Sequence, residues 1–145
     1  MKVMRLLATK SGRVITIGPK QPIRDAVALL SKHNIGALIV MDEGNDLPVG
    51  IISERDVIRR GAENENVFSE LVEDIMTKEV ITGLPQDDLF SVMHTMTEKR
   101  FRHLPVVDQG KLIGIISIGD VLKAQRDAYR GEIDTLETQL LADEG

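Results

Sequence analysis

The segment Gly50-Ile51-Ile52-Ser53-Glu54-Arg55-Asp56-Val57 returns, at an offset of 64, as Gly114-Ile115-Ile116-Ser117-Ile118-Gly119-Asp120-Val121, identical at six of eight positions. A chain that runs one apolar strand into Ser-x-x-Asp twice is constrained to fold as two copies of one plan. The copies extend further: Val14-Ile15-Thr16 matches Val80-Ile81-Thr82, and Pro19, Leu38 and Asp42 match Pro85, Leu104 and Asp108, each at an offset of 66. The offset then falls to 64, because the loop from Asp42 to Gly50 is two residues longer than that from Asp108 to Gly114. Two units of this size make a pseudo-symmetric pair and not a solenoid.

Within each copy the pattern predicts β-α-β-β-α. Short β-branched strands (Val14–Ile17 and Val80–Thr82) lead into a turn containing Pro. The helix that follows has apolar residues at i, i+3, i+4, i+7, namely Ile23, Ala26, Val27, Leu30 and then Leu89, Val92, Met93, Met96, which is one buried stripe. Two apolar strands come next, Ala37–Met41 with Val49–Ile52 and Leu104–Val107 with Leu112–Ile116, joined by loops of turn composition that predict hairpins. A second helix opens near Ser53 or Ser117. Neither copy is large enough for a strong core of its own, and packing the two sheets together supplies one. The predicted class is therefore α+β: two pseudo-symmetric repeats packed sheet to sheet, with a C-terminal helical extension.

The expected division is 1–62 for the first repeat with an N-terminal lead-in, 63–78 for a linker and lead-in helix, 79–124 for the second repeat, and 125–145 for a C-terminal helix and tail. Gly61 to Asn66 reads as a polar, acidic linker, and Phe68, Leu71, Val72, Ile75 and Met76 as a short amphipathic helix. Val121 to Ala142 reads as one long charged helix. Its Tyr129, Ile133, Leu136 and Leu140 lie at heptad-like spacings, which fit either a helix edge docked on its own domain or a coiled-coil seam.

Composition narrows the function classes. Of the 145 residues, 42% are hydrophobic and 28% charged, as in an ordinary soluble globular domain. A net charge of −5 argues against a general nucleic-acid binder, and aromatics at 3% with no Trp leave little for base stacking. Cysteine is absent, which removes disulfides and thiolate metal sites and fits a reducing cytoplasm. No run approaches a membrane span, and Met1 to Arg13 has an apolar patch without a signal-peptide core. His33 and His94 have no second ligand at metal spacing, so no metal is expected. Asp87-Asp88 reads as the acidic first turn of a helix, no Gly-rich phosphate loop is present, and the six Met residues read mostly as core filling.

The paired β-α-β-β-α units, the Gly-Ile-Ile-Ser-x-x-Asp ends, the lead-in Asp74-Ile75-Met76-Thr77 and the strand Arg102-His103-Leu104-Pro105-Val106-Val107-Asp108 resemble a tandem pair of CBS domains (cystathionine β-synthase domains, a Bateman module). The resemblance covers Val14 to about Ala124. It implies a stand-alone, non-catalytic sensor of adenosyl ligands (AMP, ADP, ATP, NAD or S-adenosylmethionine), bound in clefts between the repeats, and a homodimer.

Ser53 and Ser117 each stand before a predicted helix, with Asp56 and Asp120 three residues on. Capping boxes alone account for that spacing. A helix N-terminus also suits a phosphate, and an Asp there can accept from both ribose hydroxyls, as the acidic residue of dinucleotide folds does; the two roles are compatible. Arg102 and His103 stand where the first copy has Gly36 and Ala37, and bring a planar phosphate fork and a titratable donor. By the resemblance, one site comprises Ser53, Arg55, Asp56, Thr82, Arg102 and His103, and the other Thr16, Gly36, Ala37, Ser117, Ile118 and Asp120. The second has small uncharged residues where the first has Arg and His, so the Asp56 site is expected to hold a phosphate-bearing ligand more tightly. Two adenosine sites on one shared cleft would also suit a dinucleotide such as NAD. The alternatives are a small nucleotide hydrolase using His103, Asp56 and Ser53, and an interaction scaffold with vestigial clefts.

Overall fold

The computed structural model describes residues 1–10 and 13–144. In order, the elements are α1 (Val3–Thr9), β1 (Thr16–Ile17), α2 (Ile23–His33), β2 (Ala37–Val40), β3 (Gly50–Ser53), α3 (Glu54–Glu63), a 3-10 turn (Val67–Ser69), α4 (Val72–Ile75), α5 (Leu89–Lys99), β4 (His103–Asp108), β5 (Lys111–Ser117) and α6 (Ile118–Glu144). β1 runs parallel to β2, which pairs with β3 as an antiparallel hairpin; β4 and β5 form the matching hairpin. The predicted stripes are the buried ones, with Ile23, Ala26 and Leu30 on α2 and Leu89, Val92 and Met96 on α5. Burial of each large side chain contributes about 1.5–3 kcal/mol.

Each sheet is covered on both faces. Leu38, Val40 and Ile52 point into the cluster under α2 and α3. Ile39, with side-chain direction opposite to theirs, is fully buried yet lies outside both helix-covered clusters. A buried side chain on that face is what sheet-to-sheet packing of the two copies requires. No polar or charged residue is buried among the described residues.

The predicted strand Val80–Thr82 does not form. Its copy of the parallel pairing shrinks to one bridge, in which Gly83 donates to the Pro105 carbonyl (2.9 Å) and Val107 donates to the Gly83 carbonyl (2.9 Å). Extending it back toward Ile81 needs an N–H at Pro105, which proline lacks; the first copy has Ile39 there. Other expectations shift locally. Gly61 to Glu63 finish α3, so the linker is shorter than its composition suggests. The lead-in helix breaks into the 3-10 turn and the single-turn α4, with Val67 and Val72 buried and Phe68 exposed. Asp88 is not in the first turn of α5 but is its N-cap, accepting from Ser91 N at 3.0 Å, while Asp87 accepts from Leu84 N at 2.8 Å. Among the methionines, Met96 is buried and Met76 and Met93 pack on the cores, but Met1 and Met4 are exposed.

The apolar patch at the N-terminus is a helix that the repeat pattern did not reveal. On α1, Val3 and Leu6 are buried in the second copy's core with Leu89, Leu104 and Ile116, whereas Val67 and Val72 complete the first copy's core. Each lead-in thus packs on the opposite copy. The main chain fixes this exchange: Leu89 donates to the Met1 carbonyl (2.9 Å) and Ile23 to the Glu70 carbonyl (2.8 Å). It also explains the glycine that opens each Gly-Ile-Ile-Ser strand. A Cβ on Gly50 would run into Met76, and one on Gly114 would lie 2.7 Å from Leu7 Cδ2, so each glycine is the notch that admits a lead-in side chain.

Beyond the second copy α6 continues for 27 residues in all. Val121 and Ala124 pack on the core, but Tyr129, Ile133, Leu136 and Leu140 are more than half exposed. The reading of that seam as an edge docked on its own domain is therefore overturned. No helix among the described residues is long and apolar enough to cross a membrane.

Candidate functional site: two clefts about a shared wall

Two helices begin where the duplicated strands end, and each begins with a capping box. Ser53 N donates to Asp56 Oδ2 (2.9 Å) and Asp56 N donates back to Ser53 Oγ (3.3 Å). In the second copy, Ser117 N donates to Asp120 Oδ2 (2.8 Å) and Asp120 N to Ser117 Oγ (3.1 Å). Such a cap stabilises its helix by about 1 kcal/mol, so the bland reading of Ser-x-x-Asp is correct as far as it goes. In both boxes Oδ2 carries the internal bonds, and Oδ1 has no hydrogen-bond partner among the described residues. One acceptor of each carboxylate stays free beside a helix N-terminus.

A second pair of bonds ties each helix to its own sheet. Glu54 N donates to the Gly36 carbonyl (3.0 Å) and Ile118 N to the Arg102 carbonyl (2.8 Å). These bonds fix the starts of β2 and β4, which meet at the centre. His103 lies there against Gly36: a Cβ on that glycine would sit 3.5 Å from the imidazole Cε1 and Nε2.

A cleft of about 480 Å³ opens on the Asp56 side of this centre. Ser53, Arg55, Asp56, Arg102 and His103 all line it; Thr82 does not, and Val80 and Ile81 line the cleft instead. On the Asp120 side a cleft of about 450 Å³ is lined by Gly36, Ala37, Ser117 and Asp120. Thr16 is absent from that lining, and Ile118 lines the first cleft, not the second. Gly36, Ala37, His103 and Ser117 border both clefts and form a shared wall.

The charges differ from the sequence expectation. Arg59 and Arg100 join Arg55 and Arg102 in the first cleft, opposed by Glu54, Asp56 and Glu79. The second cleft has its own cations: Lys10 and Arg13 line it, opposed by Asp120. Gly36 and Ala37 are small and uncharged, but the second cleft takes cations from the segment before Val14, outside the duplicated stretch. Lys10 Nζ bonds Asp120 Oδ2 and the Ile115 carbonyl, both at 2.7 Å. A match between Val3-Met4-Arg5-Leu6-Leu7 and Val72-Glu73-Asp74-Ile75-Met76, at an offset of 69, could have shown that the lead-in repeats too. Arg100 had a signal as well. It is the left-handed C-cap of α5 (φ 58°), as Asn34 (φ 50°) is of α2, and Asn34 lines the second cleft.

Two titrating groups respond to this geometry. Burial pushes the His103 imidazole below the ordinary histidine value and Arg102 adds to that, while Asp120 and Glu54 pull it back. Burial alone would raise the Asp120 carboxyl, but the bonds from Lys10 and the Ser117 backbone offset it and hold the group below the usual carboxylate range. No hydrogen bond joins His103 to Asp56 or Ser53 among the described residues.

The sequence matches the CBS domain family over residues 7–63 and 72–127, one match for each copy. The mitochondrial CBS domain-containing protein CBSX3 of Arabidopsis thaliana is 38% identical over 122 residues, which are 81% of this chain; the chain spans 59% of that relative's length. The CBS-domain containing protein ATU1752 of Agrobacterium tumefaciens superposes with a TM-score of 0.82 at 39% identity, covering 86% of this chain and 99% of its own. Two solved neighbours carry ligands. One is the CBS domain protein PAE2072 of Pyrobaculum aerophilum complexed with AMP (25% identity, TM-score 0.74, covering 83% and 89%). The other is the CBS domain pair of protein MJ0100 with 5′-methylthioadenosine and S-adenosyl-L-methionine (28% identity, TM-score 0.76, covering 88% and 98%).

Proposed function

The chain belongs to the CBS-domain family, and from that premise we propose that it is a non-catalytic regulatory module that binds adenosine-containing ligands in its two clefts. The observation that carries this reading is the pair of capping-box carboxylates. Each leaves one oxygen free to accept ribose hydroxyls, at a helix N-terminus whose dipole favours phosphate. AMP and adenosyl ligands bound to the two structural neighbours support the ligand class. In the first cleft Asp56 accepts from the ribose, and Arg55, Arg102 and His103 hold the phosphate. In the second cleft Asp120 takes the ribose beside Ser117, Gly36 and Ala37. The shared wall also suits a dinucleotide such as NAD, one adenosyl or nicotinamide half in each cleft. Binding shifts the relative packing of the repeats by its differential affinity for the two arrangements, within a homodimer. The absence of cysteine supports a reducing compartment such as the cytoplasm.

Calorimetric titration with AMP, ATP and NAD tests the reading, with Asp56→Ala and Asp120→Ala as the decisive variants. Loss of a carboxylate that accepts hydrogen bonds costs about 1.5–3 kcal/mol, a factor of roughly 10 to 150 in affinity. Each variant is expected to lose one site and keep the other. Unchanged affinities for all three ligands in both variants would sink the assignment of the ribose anchors. Small-angle scattering with and without saturating nucleotide checks the conformational response, and superimposable curves would remove it.

A further inference from the structure

The exposed seam on α6 is not an isotropic apolar stripe. From Tyr129 its residues step 4, 3 and 4 positions to Ile133, Leu136 and Leu140, the two-position repeat of a helix that buries one face against another helix. The charges around that face are polarised along the axis. Lys123, Arg126 and Arg130 lie in the first half, and Glu132, Asp134 and Glu137 in the second, with Asp127 the one acid among the bases. A parallel pair would set Arg126 against its own copy in the seam and Glu132 against Glu137. An antiparallel pair sets the basic half of each helix on the acidic half of the other. The acidic distal half also disfavours an anionic lipid surface as the cover.

We propose that the occupant of this seam is a second copy of the chain, docked as an antiparallel two-helix coiled coil in one register. In that register Ile133 lies opposite Leu136 of the second copy and Tyr129 opposite its Leu140. Each Arg130 then flanks Glu137 of the other helix, twice by symmetry. The alternative antiparallel register, one heptad away, faces Arg130 with Arg130, Glu132 with Glu132, and drives Arg126 onto Leu136. The interface is isologous, so it closes at two copies. It stands apart from the clefts and does not depend on what they bind.

Because the chain has no cysteine, single Cys variants report orientation cleanly. Full-length Tyr129→Cys and Leu140→Cys proteins are prepared separately, then mixed and mildly oxidised. The expected product is a disulfide heterodimer in the mixture, with neither variant linking to itself, since the self-pairs lie about 16 Å apart along the axis. Self-linking of either variant, or no mixed product, overturns the proposal. A dimer held only through the folded repeats gives the second result. A charge exchange checks the register by sedimentation: Glu137→Arg weakens association by about tenfold, and adding Arg130→Glu to it restores the wild-type value. Failure of the double variant to recover, or tighter association of Glu137→Arg, as a parallel pair would give by facing it with Glu132, also overturns the proposal. Both positions are exposed, so the repeats keep their fold in each variant.

Discussion

The two clefts share a capping box, a helix N-terminus and a wall, and differ in where their cations come from. In the first, Arg55, Arg59, Arg100 and Arg102 project from the copies themselves. In the second, Lys10 and Arg13 arrive on the N-terminal lead-in, and Lys10 is already committed to Asp120 and the Ile115 carbonyl. The edge of the duplicated strand shows the same contrast. Ile51 exchanges two backbone hydrogen bonds with Thr77 (3.0 and 2.9 Å), whereas the Ile115 carbonyl is met by the Lys10 ammonium. Duplication therefore preserved the acceptor and the backbone frame while the charge around each acceptor diverged. One cleft keeps free guanidinium groups for a phosphate, and the other offers a cation that a ligand must share with the protein.

The clefts differ most in their phosphate grip at Arg102. In an Asp120→Ala background, which leaves one working cleft, Arg102→Ala is expected to lower AMP affinity by about 10- to 100-fold through loss of a charge-assisted bond. Adenosine, lacking the phosphate, should lose less than about threefold. Calorimetry on both ligands separates the outcomes, and equal losses for both would show that Arg102 supports the cleft's shape instead of gripping phosphate.

Much of this layout is legible in the sequence because two periods of a repeat are an internal control. The strand and helix assignments in the first copy match its elements, and Arg102 and His103 line one cleft with Asp56, since the two offsets, 66 and then 64, fix which positions are equivalent. What failed did so for local reasons. Pro105 cannot donate to a parallel neighbour, and a hydrophobic pattern with Val80 and Ile81 does not register a missing N–H. Lys10 lies outside the two offsets that relate the copies, because the lead-ins repeat at a third offset, 69, and cross to the opposite copy. The seam on α6 was legible as a seam, but periodicity alone does not say whether a partner covers it.

His103 tests the wall between the clefts. Its folded pKa is depressed, chiefly by burial and then by Arg102, with Asp120 and Glu54 opposing and Lys10 adding to the depression. In the unfolded chain the group titrates near about 6.5, so native stability falls as pH drops below that value, where the unfolded state binds the proton first. A bound phosphate reverses the sign locally, because it raises the imidazole pKa. Binding then takes up a proton, and affinity increases as pH falls from about 7, by up to about tenfold per unit. Phosphate groups titrate in the same range, so the informative quantity is the wild-type profile minus that of His103→Gln. Identical profiles would remove His103 from ligand contact.

The smallest effect is expected at Lys10, and it tests the ion pair with Asp120 in the second cleft. Asp120 sits below the usual carboxylate range because the Lys10 and Ser117 bonds outweigh its burial. A carboxyl with a lowered folded pKa contributes stability that is present above about pH 4 and disappears as pH falls through the folded value. Lys10→Met removes part of that contribution. Both side chains are about one-third exposed, so solvent screening keeps the loss below about 1 kcal/mol. The variant should melt slightly below wild type at pH 7, with the gap narrowing as the pH is lowered through the Asp120 titration. The Asp120 carboxyl resonance followed by NMR should titrate at higher pH in the variant. An unmoved resonance would mean that Lys10 does not engage Asp120 in solution, and the Ser117 bonds alone would then oppose the burial of that carboxyl.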